Sequence, residues 1–185
     1  MKSLKSYIQE KLIINSLQEK LVIKKSNKYK YFPKTKEELE DIIKQRIKQE
    51  GNEVDLNDID VSQITDMSNL FNGKTDFNGD ISNWDVSNVT SMYAMFYTCK
   101  KFNQDISNWN VSNVKNMYGM FYMCDKFNKD ISNWDVSNVT NMNSMFLDCK
   151  SFNQDISNWN VSNVTNMSSM FDNCKIKEKY KPKFK

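Results

Sequence analysis

Residues 77–101 read Phe77-Asn-Gly-Asp-Ile-Ser-Asn-Trp84-Asp-Val86-Ser-Asn-Val89-Thr-Ser-Met92-Tyr-Ala-Met95-Phe96-Tyr-Thr-Cys99-Lys-Lys. Three further copies follow without a gap: FNQDISNWNVSNVKNMYGMFYMCDK from Phe102, FNKDISNWDVSNVTNMNSMFLDCKS from Phe127 and FNQDISNWNVSNVTNMSSMFDNCKI from Phe152. Tryptophan returns at Trp84, Trp109, Trp134 and Trp159, and cysteine at Cys99, Cys124, Cys149 and Cys174. A degenerate copy precedes them. Asp55-Leu56 aligns with Asp80-Ile81, Ile59 takes the tryptophan position, and Val61, Ile64, Met67, Leu70 and Phe71 fall on Val86, Val89, Met92, Met95 and Phe96. Lys74 takes the cysteine position. Five units with an imperfect first member are the pattern of a stacked repeat protein, whose terminal units face something other than another repeat.

Within a unit, Ile81–Val86 mixes apolar and polar residues with Trp84 and Val86 on one parity and Ile81 on the other. That pattern predicts a short strand beside a bend or bulge. Val89, Met92, Met95, Phe96 and Cys99 are spaced 3, 3, 1 and 3 and predict one apolar stripe of a short helix, with Ser87 or Asn88 as its N-cap. No unit can bury its own stripe, so like residues must stack: Trp over Trp, Phe over Phe, Cys over Cys. The expected fold is an α/β solenoid of leucine-rich-repeat type, five stacked strand–turn–short helix coils behind an N-terminal helical cap. A β-helix-like solenoid is the alternative if the Met-rich part is not helical.

Four regions follow. Residues 1–33 form an extension in which Leu12-Ile-Ile14 and Leu21-Val-Ile23 fit a hairpin, and Leu4, Ile8 and Leu12 fit a short helix followed by a strand. Such an extension serves either attachment to another protein or packing on the first unit. Residues 34–54 contain a capping helix and linker: Thr35-Lys-Glu-Glu38 is a capping box after Pro33, Leu39, Ile42, Ile43 and Ile47 make an apolar face, and Gly51 stops the helix near residue 49. Residues 55–174 are the repeats. Residues 175–185, KIKEKYKPKFK, are a basic tail that either folds over the last coil through Ile176, Tyr180 and Phe184 or leaves that end to a partner.

The 185 residues include no histidine, which removes Ser-His-Asp and Cys-His nucleophiles and histidine-containing zinc sites. The net charge of +3 hides an asymmetry: 13 basic and 7 acidic groups in residues 1–50, 7 and 15 in residues 51–174, and 6 and 1 in residues 175–185. An acidic body gives no strong nucleic-acid signal. No apolar run reaches the ~18–20 residues that a membrane span needs. The first 25 residues lack the apolar core of a signal peptide, and no lipobox cysteine is present, so a cytoplasmic or virion-associated placement is expected.

Four cysteines at one repeat position form a line rather than a tetrahedron, so a buried ladder is expected and not zinc. Asp80, Asp105, Asp130 and Asp155 are translated copies, whereas glycosidic chemistry needs two carboxyls in unlike environments. Asn78, Asp80, Ser82 and Asp85 offer only a weak calcium pattern. No cofactor or metal is expected. The informative signal is variation within the repeat: Tyr93, Tyr118, Asn143 and Ser168, then Tyr97, Tyr122, Leu147 and Asp172. Tyr93, Tyr97, Tyr118 and Tyr122 are therefore the expected interaction surface, since tyrosine is favoured where proteins bind.

The unit FN.DISNWDVSNVTNM..MF..CK resembles the BspA-like leucine-rich-repeat family in its DUF285 form, over Asp55 to Lys175. The stretch PKTKEELEDIIKQRIKQEG, residues 33–51, resembles the leader helix of such arrays. The resemblance implies a non-catalytic scaffold for surface display, adhesion or host interaction, with another protein as partner. It supplies no catalytic residues. Phage-encoded or virion-associated copies would serve as structural modules, self-associating through the C-terminal coil. An unusual carboxylate-based hydrolase is the remaining alternative.

Overall fold

The computed structural model describes residues 28–184, and the hairpin and helix expectations for the first 27 residues lie outside the described residues. A single α-helix of some length, α1 (Lys36–Glu50), opens this part. Thr35 caps it by accepting from the Glu38 N–H, and the Glu38 carboxylate reaches back to the Lys34 N–H at 2.7 Å, one residue earlier than a standard capping box. Glu37 and Glu38 in the first turn and Lys48 in the last complement the helix dipole. Gly51 ends it with φ 91°, its N–H bonded to the Ile47 carbonyl.

Leu39 and Ile43, one turn apart, are fully buried against the first coil, with Ile42 and Ile47 beside them. Arg46 is 8% exposed and bonds Asp58, Glu50 and the Asp55 carbonyl. Tyr31 adds a single parallel bridge to Ile59. The head of the stack is thus closed by a helix, an extended residue and a guanidinium clamp.

Five coils follow, at 52–76, 77–101, 102–126, 127–151 and 152–174. Isolated parallel bridges link Asp66, Ser91, Asn116, Asn141 and Asn166 in one column. The short helix expected in each repeat is not formed. Met92–Thr98 is a run of turns, closed by Met95 N–H to Met92 O, Tyr97 N–H to Ala94 O and Cys99 N–H to Phe96 O. Apolar spacings of 3, 3, 1 and 3 suit tandem turns as well as a helix, because a turn also brings residue i beside i+3. The deciding residues are Ala94 and Thr98, with φ of 51° and 60°. Their equivalents Gly119, Met123, Ser144, Asp148, Ser169 and Asn173 share this left-handed conformation. A left-handed residue at every fourth position stops a right-handed helix.

What offsets that strain is pairing between coils. The N–H groups of Met92, Ala94, Phe96 and Thr98 donate to the carbonyls of Asn116, Tyr118, Met120 and Tyr122 at 2.7–3.0 Å. The same four bonds recur at every junction, always from one coil to the next. A helix would turn these donors inward and leave the coils joined by side chains alone. At each junction a bond in the same arc runs the other way, from Thr90 N–H to Thr65 O and its repeats, joined at the last two junctions by a longer one from Asn141 or Asn166. The resulting ribbon is polar, with donors facing the C-terminal end and acceptors facing the N-terminal end.

The expected strand at Ile81–Val86 is likewise a bend. Trp84 N–H closes a turn on the Ile81 carbonyl, and Val89 N–H closes one on Val86. Ser87 and Asn88 are not N-caps: Ser87 bonds Asp85, and Asn88 donates to the Ser62 carbonyl of the previous coil.

The interior is filled by two interleaved phenylalanine columns. Phe96 lies 4.0 Å from Phe102 within the stack and 5.6 Å from Phe121 above it, ring centroid to centroid, and the pattern repeats in each coil. Trp109, Trp134 and Trp159 stack at 6.4–6.5 Å. Replacing one such phenylalanine by alanine costs about 3–5 kcal/mol.

Candidate interaction surface

Several polar columns common to the repeats are occupied in holding the stack. Each indole N–H donates to a carbonyl one coil back: Trp84 to Leu56, Trp109 to Ile81, Trp134 to Ile106 and Trp159 to Ile131. Asn78, Asn103 and Asn128 accept from the N–H of the asparagine one coil later. Asn88, Asn113, Asn138 and Asn163 donate to serine carbonyls one coil earlier. Cys99, Cys124 and Cys149 each donate Sγ–H to a buried phenylalanine carbonyl at 2.8–3.0 Å. Burial pushes the Cys99 thiol up to about 12 and raises Cys124 and Cys149 well above the usual thiol range, so none is a thiolate nucleophile at neutral pH. Cys174, at the open end, is half-buried and also raised.

The repeated aspartates have one job. Asp80, Asp105, Asp130 and Asp155 each accept from the N–H two residues on, at Ser82, Ser107, Ser132 and Ser157. Asp85 and Asp135 do the same for Ser87 and Ser137. Asn110 and Asn160 replace them in the alternate coils with the same bond. At Asp80 burial disfavours the charge, yet the Ser82 and Asn57 hydrogen bonds outweigh it and hold the carboxyl below its ordinary range. The Ser107 N–H holds Asp105 down, the Ser137 side chain Asp135, and the Ser157 side chain Asp155. A carboxyl serving as general acid needs the opposite shift. A shallow groove of about 260 Å³ between α1 and the first coil is lined by Lys44, Ile47, Gly73, Lys74 and Asp76, and brings no pair of unlike carboxylates together.

The four tyrosines do come together. Tyr93 stacks on Tyr118 at 4.8 Å with planes 10° apart, and Tyr97 stacks on Tyr122 at 4.3 Å and 7°. They stand on the outer side of the turn ribbon rather than on a helix. Burial pushes the Tyr97 hydroxyl up, and the hydrogen bond with Tyr122 adds to it. Gly119 sits between the pairs with φ 55°, and a methyl there would stand 3.4 Å from the Tyr97 ring. Nothing in the periodicity singles out Gly119, because Ala94, Ser144 and Ser169 hold the same conformation in the other coils. Coils 4 and 5 replace the tyrosines with Asn143, Ser168, Leu147 and Asp172, so the aromatic patch is confined to coils 2 and 3.

Among the described residues the C-terminal end is covered on one side only. The tail after Cys174 turns back so that Tyr180 O accepts from Ile156 N–H, Lys177 N–H donates to Asn153, and Ile176 is buried. Tyr180 and Phe184 pack partly against the core. On the ribbon side Met167 is 40% exposed, whereas Met92, Met117 and Met142 are fully buried.

These features define a repeat protein in which residues shared by every coil hold the stack and residues that differ make the surface. The chain belongs to the family described as "Mycoplasma protein of unknown function, DUF285", which it matches over residues 38–132 and again over residues 108–181. The two overlapping matches span α1 and the repeats. No curated protein and no solved structure matches the chain significantly. No helix among the described residues is long and apolar enough to cross a membrane.

Proposed function

We propose that the chain is a non-catalytic solenoid of turn-built coils, closer to the β-helix-like than to the α/β form, that binds another protein through Tyr93, Tyr97, Tyr118 and Tyr122. The observation that carries this reading is the tyrosine cluster itself. The repeated tryptophan N–H groups, the Asn88-type asparagines and the cysteines are spent on the stack, while these four tyrosines are placed outward and are absent from coils 4 and 5. Stacking also favours one kind of ligand. In each pair one face of each ring is taken by the partner, which suits packing against a protein better than the open ring face that a sugar needs. The lowered aspartate carboxyls favour this reading over a carboxylate-based hydrolase.

The test compares the intact chain with a Tyr93→Ser, Tyr97→Ser, Tyr118→Ser and Tyr122→Ser variant as bait in lysate of the source cells. Proteins retained by the first and lost by the second, with the thermal unfolding of the variant still cooperative, support the proposal. Identical retention by both refutes the site.

A further inference from the structure

At each junction the ribbon of one coil hands four N–H groups to the next. In coil 5 the equivalent donors are Met167, Ser169, Phe171 and Asn173, and none of the four has an acceptor among the described residues. The tail covers the Asn153 and Ile156 side and leaves this row open. Val164 and Phe171, whose counterparts Val139 and Phe146 are fully buried, are only partly so, and Met167 is exposed. The end therefore carries a row of unpaired donors beside an apolar strip.

Its charge is mainly positive. Lys175, Lys177, Lys179, Lys181 and Lys183 follow the last repeat, against Asp172 within the edge and Glu178, which is paired with Lys181. Lys181 also lies over the Phe171 ring, at 5.5 Å from its centroid.

A second copy, the simplest occupant, fits neither way round. The complementary carbonyl row, at Asp66, Ser68, Leu70 and Asn72, lies at the head of the stack. There α1 packs on the first coil, with Leu39 and Ile43 fully buried and Lys36 paired to the Asp66 carboxylate, and stands in the way of a second copy. Two C-terminal ends facing each other would set donors against donors and lysines against lysines. The occupant has to bring acceptors, apolar groups and negative charge together.

We propose that the edge Met167–Asn173 docks an extended acidic polypeptide segment of another protein. Its main-chain carbonyls take the four N–H groups, its apolar side chains cover Val164, Met167 and Phe171, and its carboxylates are drawn to the excess of lysines in the tail, of which Lys181 stands at Phe171. This is addition of a strand to an open edge, restricted to acceptors by the polarity of the ribbon. The apolar strip favours a polypeptide over a phosphodiester chain. The proposal is independent of the tyrosine surface, which lies on other coils.

The probe is a synthetic peptide with the ribbon sequence of residues 141–148, NMNSMFLD, flanked by two aspartates at each end, and a control flanked by lysines. It is titrated into the full-length chain labelled with nitrogen-15. The acidic peptide is expected to shift the amides of Met167, Ser169, Phe171 and Asn173 with an affinity on the order of 1 mM or tighter. The lysine-flanked control is expected to bind about tenfold more weakly, a gap that narrows in high salt. Lys177→Glu, Lys179→Glu and Lys183→Glu together are expected to reverse that preference; the same spectra report whether the coils remain folded. Unmoved amides at 167–173, equal binding of both peptides, or stronger binding of a single-stranded oligonucleotide at the same amides would overturn the proposal. So would concentration-dependent dimerisation through this edge in the absence of peptide.

Discussion

Replacing Thr98 with glycine should make the protein more stable, although it deletes a side chain from the middle of a repeat. Thr98 has φ 60° and is β-branched, the kind of residue least suited to that conformation. A left-handed L-residue costs roughly 1–2 kcal/mol, and the greater freedom of unfolded glycine returns about 0.4–1 kcal/mol of that. Its hydroxyl makes no hydrogen bond among the described residues, so little else is lost. The expected net gain is about 0.5–1 kcal/mol. Gly119→Ala should go the other way by about the same amount: its φ is 55°, and the new methyl meets the Tyr97 ring at 3.4 Å. Urea unfolding at constant slope reads both changes as midpoint shifts of opposite sign. If Met92–Cys99 and its equivalents were helical, the signs would exchange, because glycine costs up to about 1 kcal/mol in a helix interior. Destabilisation by Thr98→Gly together with stabilisation by Gly119→Ala would refute the turn assignment.

Trp134→Phe should lose about 0.5–1.5 kcal/mol beyond the packing change, because the buried Ile106 carbonyl loses its indole donor and keeps only the Trp109 N–H; equal stability of Trp134→Phe and wild type in urea would contradict that role. In native protein a thiol reagent should modify Cys174 first, and Cys99, Cys124 and Cys149 only at the rate of unfolding, as followed by mass spectrometry. Asp80, Asp105, Asp135 and Asp155 have folded carboxyls held below their unfolded values, so their contribution is present above an unfolded pKa of about 4 and is lost as pH falls through the lower folded values. Asp135→Asn should keep the turn at pH 7, as Asn110 and Asn160 do, and should weaken the acid sensitivity of the melting temperature; an unchanged acid profile would count against the carboxylate's role.

Much of the molecule was readable before any coordinates. The 25-residue period, the residues that stack, and α1 with its Thr35 cap and Gly51 stop are carried by identity and spacing alone. The path of the chain within a coil was not. Tandem turns and a helix both place Val89, Met92, Met95 and Cys99 on one side, and period alone cannot separate them. The decisive signal was hidden because the left-handed positions are held by alanine, threonine, methionine, serine, aspartate and asparagine, with glycine only at Gly73 and Gly119. In coils 1 to 4 the strain is offset because each of those residues donates its own N–H to a neighbouring coil, an interaction between repeats that no single repeat encodes. For the same reason the tyrosines were legible as a variable surface, but their stacking and the donor row at coil 5 became visible only with the polarity of the ribbon.

The most direct test of this architecture is measurement of scalar couplings across hydrogen bonds in the isotope-labelled chain. The account predicts correlations from the amide nitrogens of Met92, Ala94, Phe96 and Thr98 to the carbonyl carbons of Asn116, Tyr118, Met120 and Tyr122, one coil further on. Correlations from Phe96 and Cys99 to carbonyls four residues earlier in their own coil, with none between coils, would contradict it.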